Sequence, residues 1–164
     1  MGWFKRKDLT LEQALEYSKG KPSRLSWWIT RKIWYKHDSD QWGVKEYWQT
    51  WEQTLALRTG DCEDFAIVAH EVLTRMGLSP YIVCVEYWKG YQRVNDGHAV
   101  CAYYNKDRQK WYYIGTEGHK KCGATIQSVA ERVSPDAKIM ELRKPDKTLL
   151  EKHVKVGGDW RQTL

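Results

Sequence analysis

Two short segments of this sequence hold side chains suited to covalent chemistry. Thr59 to Ala66 reads TGDCEDFA, and Asp96 to Val100 reads DGHAV. Gly60 is a helix stop. Asp61 and Asp64 have the spacing of a capping box, so Cys62 falls in the first turn of a new helix. First-turn N–H groups and the helix dipole favour a thiolate over a thiol, whose free pKa is about 8.5. Asp61, Glu63 and Asp64 oppose this, because neighbouring carboxylates raise a thiol's pKa. The thiol therefore needs a cationic partner. His98 opens an apolar run and, on a strand, shares a face with Val100, Ala102 and Tyr104. A Cys–His pair performs acyl transfer: the thiolate attacks an amide or ester carbonyl and the imidazole accepts and returns the proton. That chemistry expects a direct or one-water hydrogen bond between Cys62 and His98. The bland alternative for His98 alone is a satisfied histidine at a strand edge.

The elements that must hold these groups are legible in outline. Thr10 and Gln13 make a capping box ahead of Leu11, Ala14 and Leu15, and Gly20 and Pro22 end that helix. A second helix is expected over Arg24 to Lys36, and His37 to Gly43 reads as a polar turn. Val44, Tyr47, Trp48, Trp51 and Leu55 recur at helical intervals, and Thr50 with Gln53 marks a second capping box within them. Phe65, Ala66, Ala69, Val72, Leu73 and Met76 form one apolar stripe on the helix that starts at Cys62. Gly77 is its stop, with Pro80 beyond. The period then changes. Tyr81 to Trp88, Ala99 to Tyr104 and Trp111 to Ile114 are rich in strand formers, and Asn105 to Lys110 is a hairpin connection. A short helix follows Thr125 and a strand runs through Ile139 to Leu142. The tail from Arg143 reads as polar and loosely attached. Helices first and strands afterwards indicate an α+β fold.

The 164 residues suit one domain. Its regions would be an N-terminal helical part over 1–43, a core over 44–142 and the tail over 143–164. The net charge of +6 is unevenly placed. Residues 1–36 hold nine Lys/Arg against three Asp/Glu, residues 37–142 twelve against fifteen, and residues 143–164 six against three. Basic ends can attract nucleic acid, but they more often form solvated faces, so a nucleic-acid role is not expected. Ten Trp are mostly core material, with some free to line a substrate groove. Cys62, Cys84, Cys101 and Cys122 form no CxxC pair, which argues against structural zinc. Cys84 and Cys101 fall in strands as buried, inert thiols, whereas Cys122 lies in a basic loop, His119 to Gly123. His37, His70, His119 and His153 have no evident partner, and His70 lies too far along the Cys62 helix to meet the thiol. The start, MGWFKRKD, has no apolar stretch, and Arg6 stands where a myristoylation signal needs Ser or Thr. A cytoplasmic protein with reduced thiols and no membrane partner is expected. The sequence leaves the oligomeric state open.

The stretch Tyr47 to Ala66 (YWQTWEQTLALRTGDCEDFA) with GHAV at 97–100 resembles the bacterial transglutaminase-like cysteine proteinases. The resemblance covers residues 44–118. It implies a papain-like core, with the nucleophile helix packed on an antiparallel sheet and extra helices N-terminal to it. It also implies a Cys–His–Asp triad acting on a protein or peptide substrate. Cys62 and His98 carry over directly. The aspartate's place falls on Gly115, in WYYIGTE, so Glu117 is the expected substitute, ahead of Asp96 and Asp107. Trp48 and Gln53 are candidates for the second oxyanion donor, beside the backbone N–H of Cys62. No cofactor is required by this chemistry. In some members of the family, however, the acids flanking the cysteine bind calcium, and Asp61 and Glu63 match those positions. Loss of the aspartate also admits another outcome, a weakened module that serves as a binding or adaptor domain.

Overall fold

The computed structural model describes residues 7–44 and 46–164. The basic start through Arg6 lies outside them. Helix α1 (Leu11–Ser18) begins at the Thr10–Gln13 capping box, both halves of which form. Pro22 does not end that helix. It occupies the first turn of α2 (Pro22–Lys32), where its missing N–H costs nothing. Helix α2 stops four residues short of the expected Lys36, because the β-branched Ile33 turns extended and leads into β1 (Trp34–Tyr35). The polar turn contains a single helical turn, α3 (Asp38–Trp42), closed by Gly43. Val44 and Tyr47 are exposed and lie between α3 and the next helix rather than in one. Helix α4 (Trp51–Leu57) starts at the Thr50–Gln53 capping box. Its end is set by Arg58 in the left-handed region, after which β2 (Thr59–Gly60) pairs in parallel with β1.

Helix α5 (Cys62–Arg75) carries the predicted stripe. Phe65, Ala66, Ala69, Val72 and Leu73 are all buried, and Met76 packs at the edge of the same core. Burying side chains the size of Phe65, Val72 and Leu73 stabilises the fold by roughly 1.5–3 kcal/mol each. Gly77, with φ of +87°, takes the left-handed position that ends the helix.

The strands are β3 (Tyr81–Lys89), β4 (Val94–Asn105), β5 (Lys110–Gly115), β6 (Gly118–Lys121), β7 (Ala137–Arg143), β8 (Leu149–Val156) and β9 (Asp159–Gln162). They form one antiparallel sheet in the order β6-β5-β4-β3-β7-β8-β9. Two expectations give way here. The basic loop His119 to Gly123 is largely strand β6. The segment from Arg143 is no loose tail, because β8 and β9 extend the sheet and bury His153. Alternation along the strands gives the sheet two faces. Ile82, Cys101, Tyr103, Tyr112 and Ile114 meet α1, α2 and α5 on one side. Val83, Val85, Val100, Ala102, Tyr113 and Met140 meet α6 (Gln127–Val133) on the other. No helix among the described residues is long and apolar enough to cross a membrane.

Candidate active site

The first turn of α5 meets the sheet at an open edge. Strand β5 pairs with β4 only from Cys101 onward, so β4 before that point has β3 on one side alone. The Cys62 sulfur reaches the backbone N–H of Ala99 there. Gly60 permits the approach of β2 to α5, since a Cβ on it would stand 2.6 Å from the Cβ of Asp64. Asp64 fixes the turn. Its carboxylate accepts from the N–H of Asp61 at 3.1 Å, the N–H of Gln49 at 2.8 Å and Gln49 Nε2 at 2.6 Å. Gln49 was not singled out from the sequence, although it lies beside Trp48 in the matching stretch.

His98 lies one residue before Ala99, on the sheet face that carries Val100. It reaches the edge from the side opposite α5. Its Nε2 lies 2.8 Å from Glu117 Oε2. A carboxylate only accepts, so Nε2 carries a proton, and in the neutral imidazole Nδ1 keeps its lone pair. A Cβ added to Gly115 would stand 2.8 Å from Glu117 Oε2. The Glu117 carboxylate therefore fills the space that a side chain at 115 would take. Burial acts to raise its pKa, but the hydrogen bond and charge of His98, with a hydrogen bond from Tyr113, outweigh it and bring the carboxyl down to about 2. Asp96 is engaged elsewhere, with Lys89 at 3.2 Å. Asp107 lies in the β4–β5 turn.

Cys62 and His98 line one cavity of about 720 Å³, together with Glu63, Cys84, Trp48 and Glu86. Of the direct or one-water contact expected between the two, no direct hydrogen bond is made. The thiol instead donates to Glu63 Oε2 at 3.2 Å. Burial, then the Glu63 carboxylate, push its pKa up, against the hydrogen bond from Ala99. The helix start does not by itself produce a thiolate. Cys84, expected to be inert, also faces this cavity, with its thiol pushed up to about 12 by burial. Trp48 lines the cavity as expected, with its indole N–H on Glu46 Oε1 at 3.4 Å. Gln53 does not reach the site. Its side chain closes the α4 capping box, accepting from the N–H of Thr50 at 2.9 Å.

Behind the thiol lies a buried acidic group. Asp38, Asp61 and Asp64 bring carboxylate oxygens within 4.8 Å of one another. Asp38 accepts from the N–H of Tyr47. Asp61 Oδ1 is buried with no hydrogen-bond partner. Burial, a hydrogen bond with Glu63 and the charges of Glu63, Asp64 and Asp38 raise the pKa of Asp61. Three buried carboxylates, one with an orphan oxygen, fit a hard cation that takes oxygen ligands. Of the two acids the resemblance pointed to, Asp61 is in this group and Glu63 is not; the Glu63 carboxylate contacts both Asp61 and the thiol. Asp38 takes its place from a polar turn with no motif of its own.

A helix that begins at a cysteine, packed on an antiparallel sheet that carries a His–carboxylate pair, defines the transglutaminase-like class. Residues 16–109 match the bacterial transglutaminase-like cysteine proteinases (BTLCP), and the chain belongs to that family. The matched range includes Cys62 and His98 and ends before Gly115 and Glu117. No curated protein matches the chain. Among solved structures it is similar to Legionella pneumophila LapG in an EGTA-treated form, with 18% identity and a TM-score of 0.50, covering 88% of this chain and 73% of that one. A calcium-bound form of the same protein gives 14% identity and a TM-score of 0.48, covering 88% and 83%. A TGase gives 16% identity and a TM-score of 0.48 over 63% of this chain. The chain spans 29% of that TGase's length.

Proposed function

We propose that the protein is a cysteine peptidase or amidase that cleaves an amide bond through a thioester on Cys62. The observation that carries this reading is the 2.8 Å contact between His98 Nε2 and Glu117, beside a cavity that both His98 and Cys62 line. Glu117 holds the imidazole in the tautomer whose Nδ1 lone pair is free to take the thiol's proton. Cys62 turns from Glu63 toward His98, gives up its proton and attacks the carbonyl. The developing oxyanion is met by the backbone N–H of Cys62, with the Trp48 indole as second donor once it leaves Glu46. His98 returns the proton to the leaving amine, then activates the water or amine that releases the acyl group.

Asp38, Asp61 and Asp64 would hold calcium, with backbone carbonyls and water completing its coordination. When bound, the ion supplies positive charge behind the first turn of α5, where the carboxylates otherwise repel a thiolate.

Fluorogenic peptide substrates tested with wild type, Cys62→Ala and His98→Ala decide the reading. Turnover by wild type alone, with an acyl adduct on Cys62 released by hydroxylamine, supports it. No turnover and no adduct in the presence of calcium contradicts it. That result would favour a binding module on the same fold, the reading to which the Cys62–Glu63 bond gives some weight.

A further inference from the structure

The chain carries a net charge of +6, yet the cavity beside Cys62 is acidic. Glu46, Glu63, Glu86, Asp96 and Glu141 line it against two cations, Arg143 and Lys147. Most of these acids are already engaged. Glu63 accepts from Cys62, Glu46 from Trp48, Asp96 pairs with Lys89 and Glu141 with Arg143 at 2.7 Å. Lys147 stands 5.5 Å over the Trp48 ring. Glu86 has no hydrogen-bond or ion-pair partner among the described residues.

Strand register places Glu86 relative to the thiol. Residues directly opposite one another share a face. One row across the strands is Ala99, Cys84 and Glu141, beside Cys62. The next row on the same face is Gly97, Glu86 and Ile139. Two residues of strand separate the rows, roughly 7 Å. Gly97, opposite Glu86, has no side chain, and a Cβ there would meet only the Val85 carbonyl at 3.5 Å. The space beside the Glu86 carboxylate is thus left open by the protein itself. It lies about two residues of extended chain from the point of attack.

We propose that this cleft selects peptide substrates with a lysine or arginine side chain near the scissile bond, and that Glu86 is the specificity-determining residue that meets the cation. The proposal rests on the cysteine-peptidase reading above for its placement. A neutral or acidic side chain at that position would leave Glu86 desolvated and unpaired, so discrimination comes from both attraction and rejection.

Binding tests this without requiring turnover. The probe is a set of fluorescent nonapeptide pools, each fixed at one position in turn as Lys, Arg, norleucine or Glu and randomised elsewhere. They are titrated against Cys62→Ala protein at low and high salt. At one or two positions the Lys and Arg pools should bind at least tenfold tighter than the norleucine pool. That preference should shrink with salt and disappear in Cys62→Ala/Glu86→Gln, while Cys62→Ala/Glu86→Lys should prefer the Glu pool. Equal binding of Lys, norleucine and Glu pools at every position overturns the proposal, as does a preference that survives Glu86→Gln. Failure of the peptidase reading shows separately, as wild type that binds these pools but neither cleaves them nor acquires an acyl adduct.

Discussion

The Glu117 carboxylate meets His98 and fills the space that a side chain at 115 would take. That contact was legible because Gly115 has no side chain and Glu117 follows it closely. Its consequence is measurable. Glu117→Gln should slow Cys62-dependent turnover at least tenfold, about 1.4 kcal/mol in the barrier. Gly115→Asp alone should not raise the rate, because the new side chain would collide with Glu117. Equal rates for wild type and Glu117→Gln, with Gly115→Asp faster, would show that Glu117 has no such role. The same carboxyl links stability to pH. Its pKa falls from the ordinary 4.5 to about 2 in the folded protein. The stability it contributes is therefore complete above pH 4.5 and lost as pH falls through 2. Denaturant unfolding between those limits should show a weaker acid dependence in Glu117→Gln than in wild type. What single residues did not reveal was Glu63. Its position beside Cys62 predicted charge repulsion, but only the rotamer shows that it accepts the thiol's proton in a hydrogen bond. Gln53 misled for the opposite reason, since a capping-box residue already has its hydrogen bonds committed to its own helix.

At the level of elements, the start of α5 is where the sequence was most explicit. Cap, cysteine and apolar stripe all fell where expected, because each is a local signal, whereas the preceding helix stops at Arg58 and Gly60 lies in β2. Long-range partners were not readable: Asp38 and Gln49 come from segments with no periodicity and are brought in by tertiary packing. Two predictions belong here. Gly60→Ala should destabilise the protein by about 1–3 kcal/mol, as overpacking does, because its Cβ would overlap Asp64. An unchanged melting temperature in that variant would show that β2 can shift freely. Calcium should raise the melting temperature of wild type, whereas magnesium, which demands a tighter octahedral shell, should do so less. Asp61→Asn keeps a capping residue but removes the charge. It should melt higher than wild type in chelator and lose the calcium-dependent rise. A calcium response that survives Asp61→Asn would place the ion elsewhere.

Across the whole molecule, the expected α+β layout, with N-terminal helices ahead of an antiparallel sheet, is the one the structure has. Its C-terminal segment, residues 143–164, was underestimated. Leu149 to Gln162 alternates weakly and is rich in charge, so it read as a tail, yet β8 and β9 complete the sheet beyond β7. His153, buried among them, bonds Glu151 at 3.0 Å and contacts Gln127 of α6 at 3.4 Å. Deleting residues 145–164 should therefore abolish cooperative melting, and a sharp, unshifted transition would restore the view of a dispensable tail. The proposed function turns on whether this fold converts the resting Cys62 thiol into a nucleophile with the help of His98. Site-resolved alkylation by iodoacetamide against pH, with calcium present, tests that directly. Cys62 should react far faster than Cys84, Cys101 and Cys122, with an inflection below the free-thiol value of about 8.5. His98→Ala should slow Cys62 at least tenfold at pH 7. A Cys62 that reacts no faster than the other three thiols, or whose rate is indifferent to His98, would contradict it.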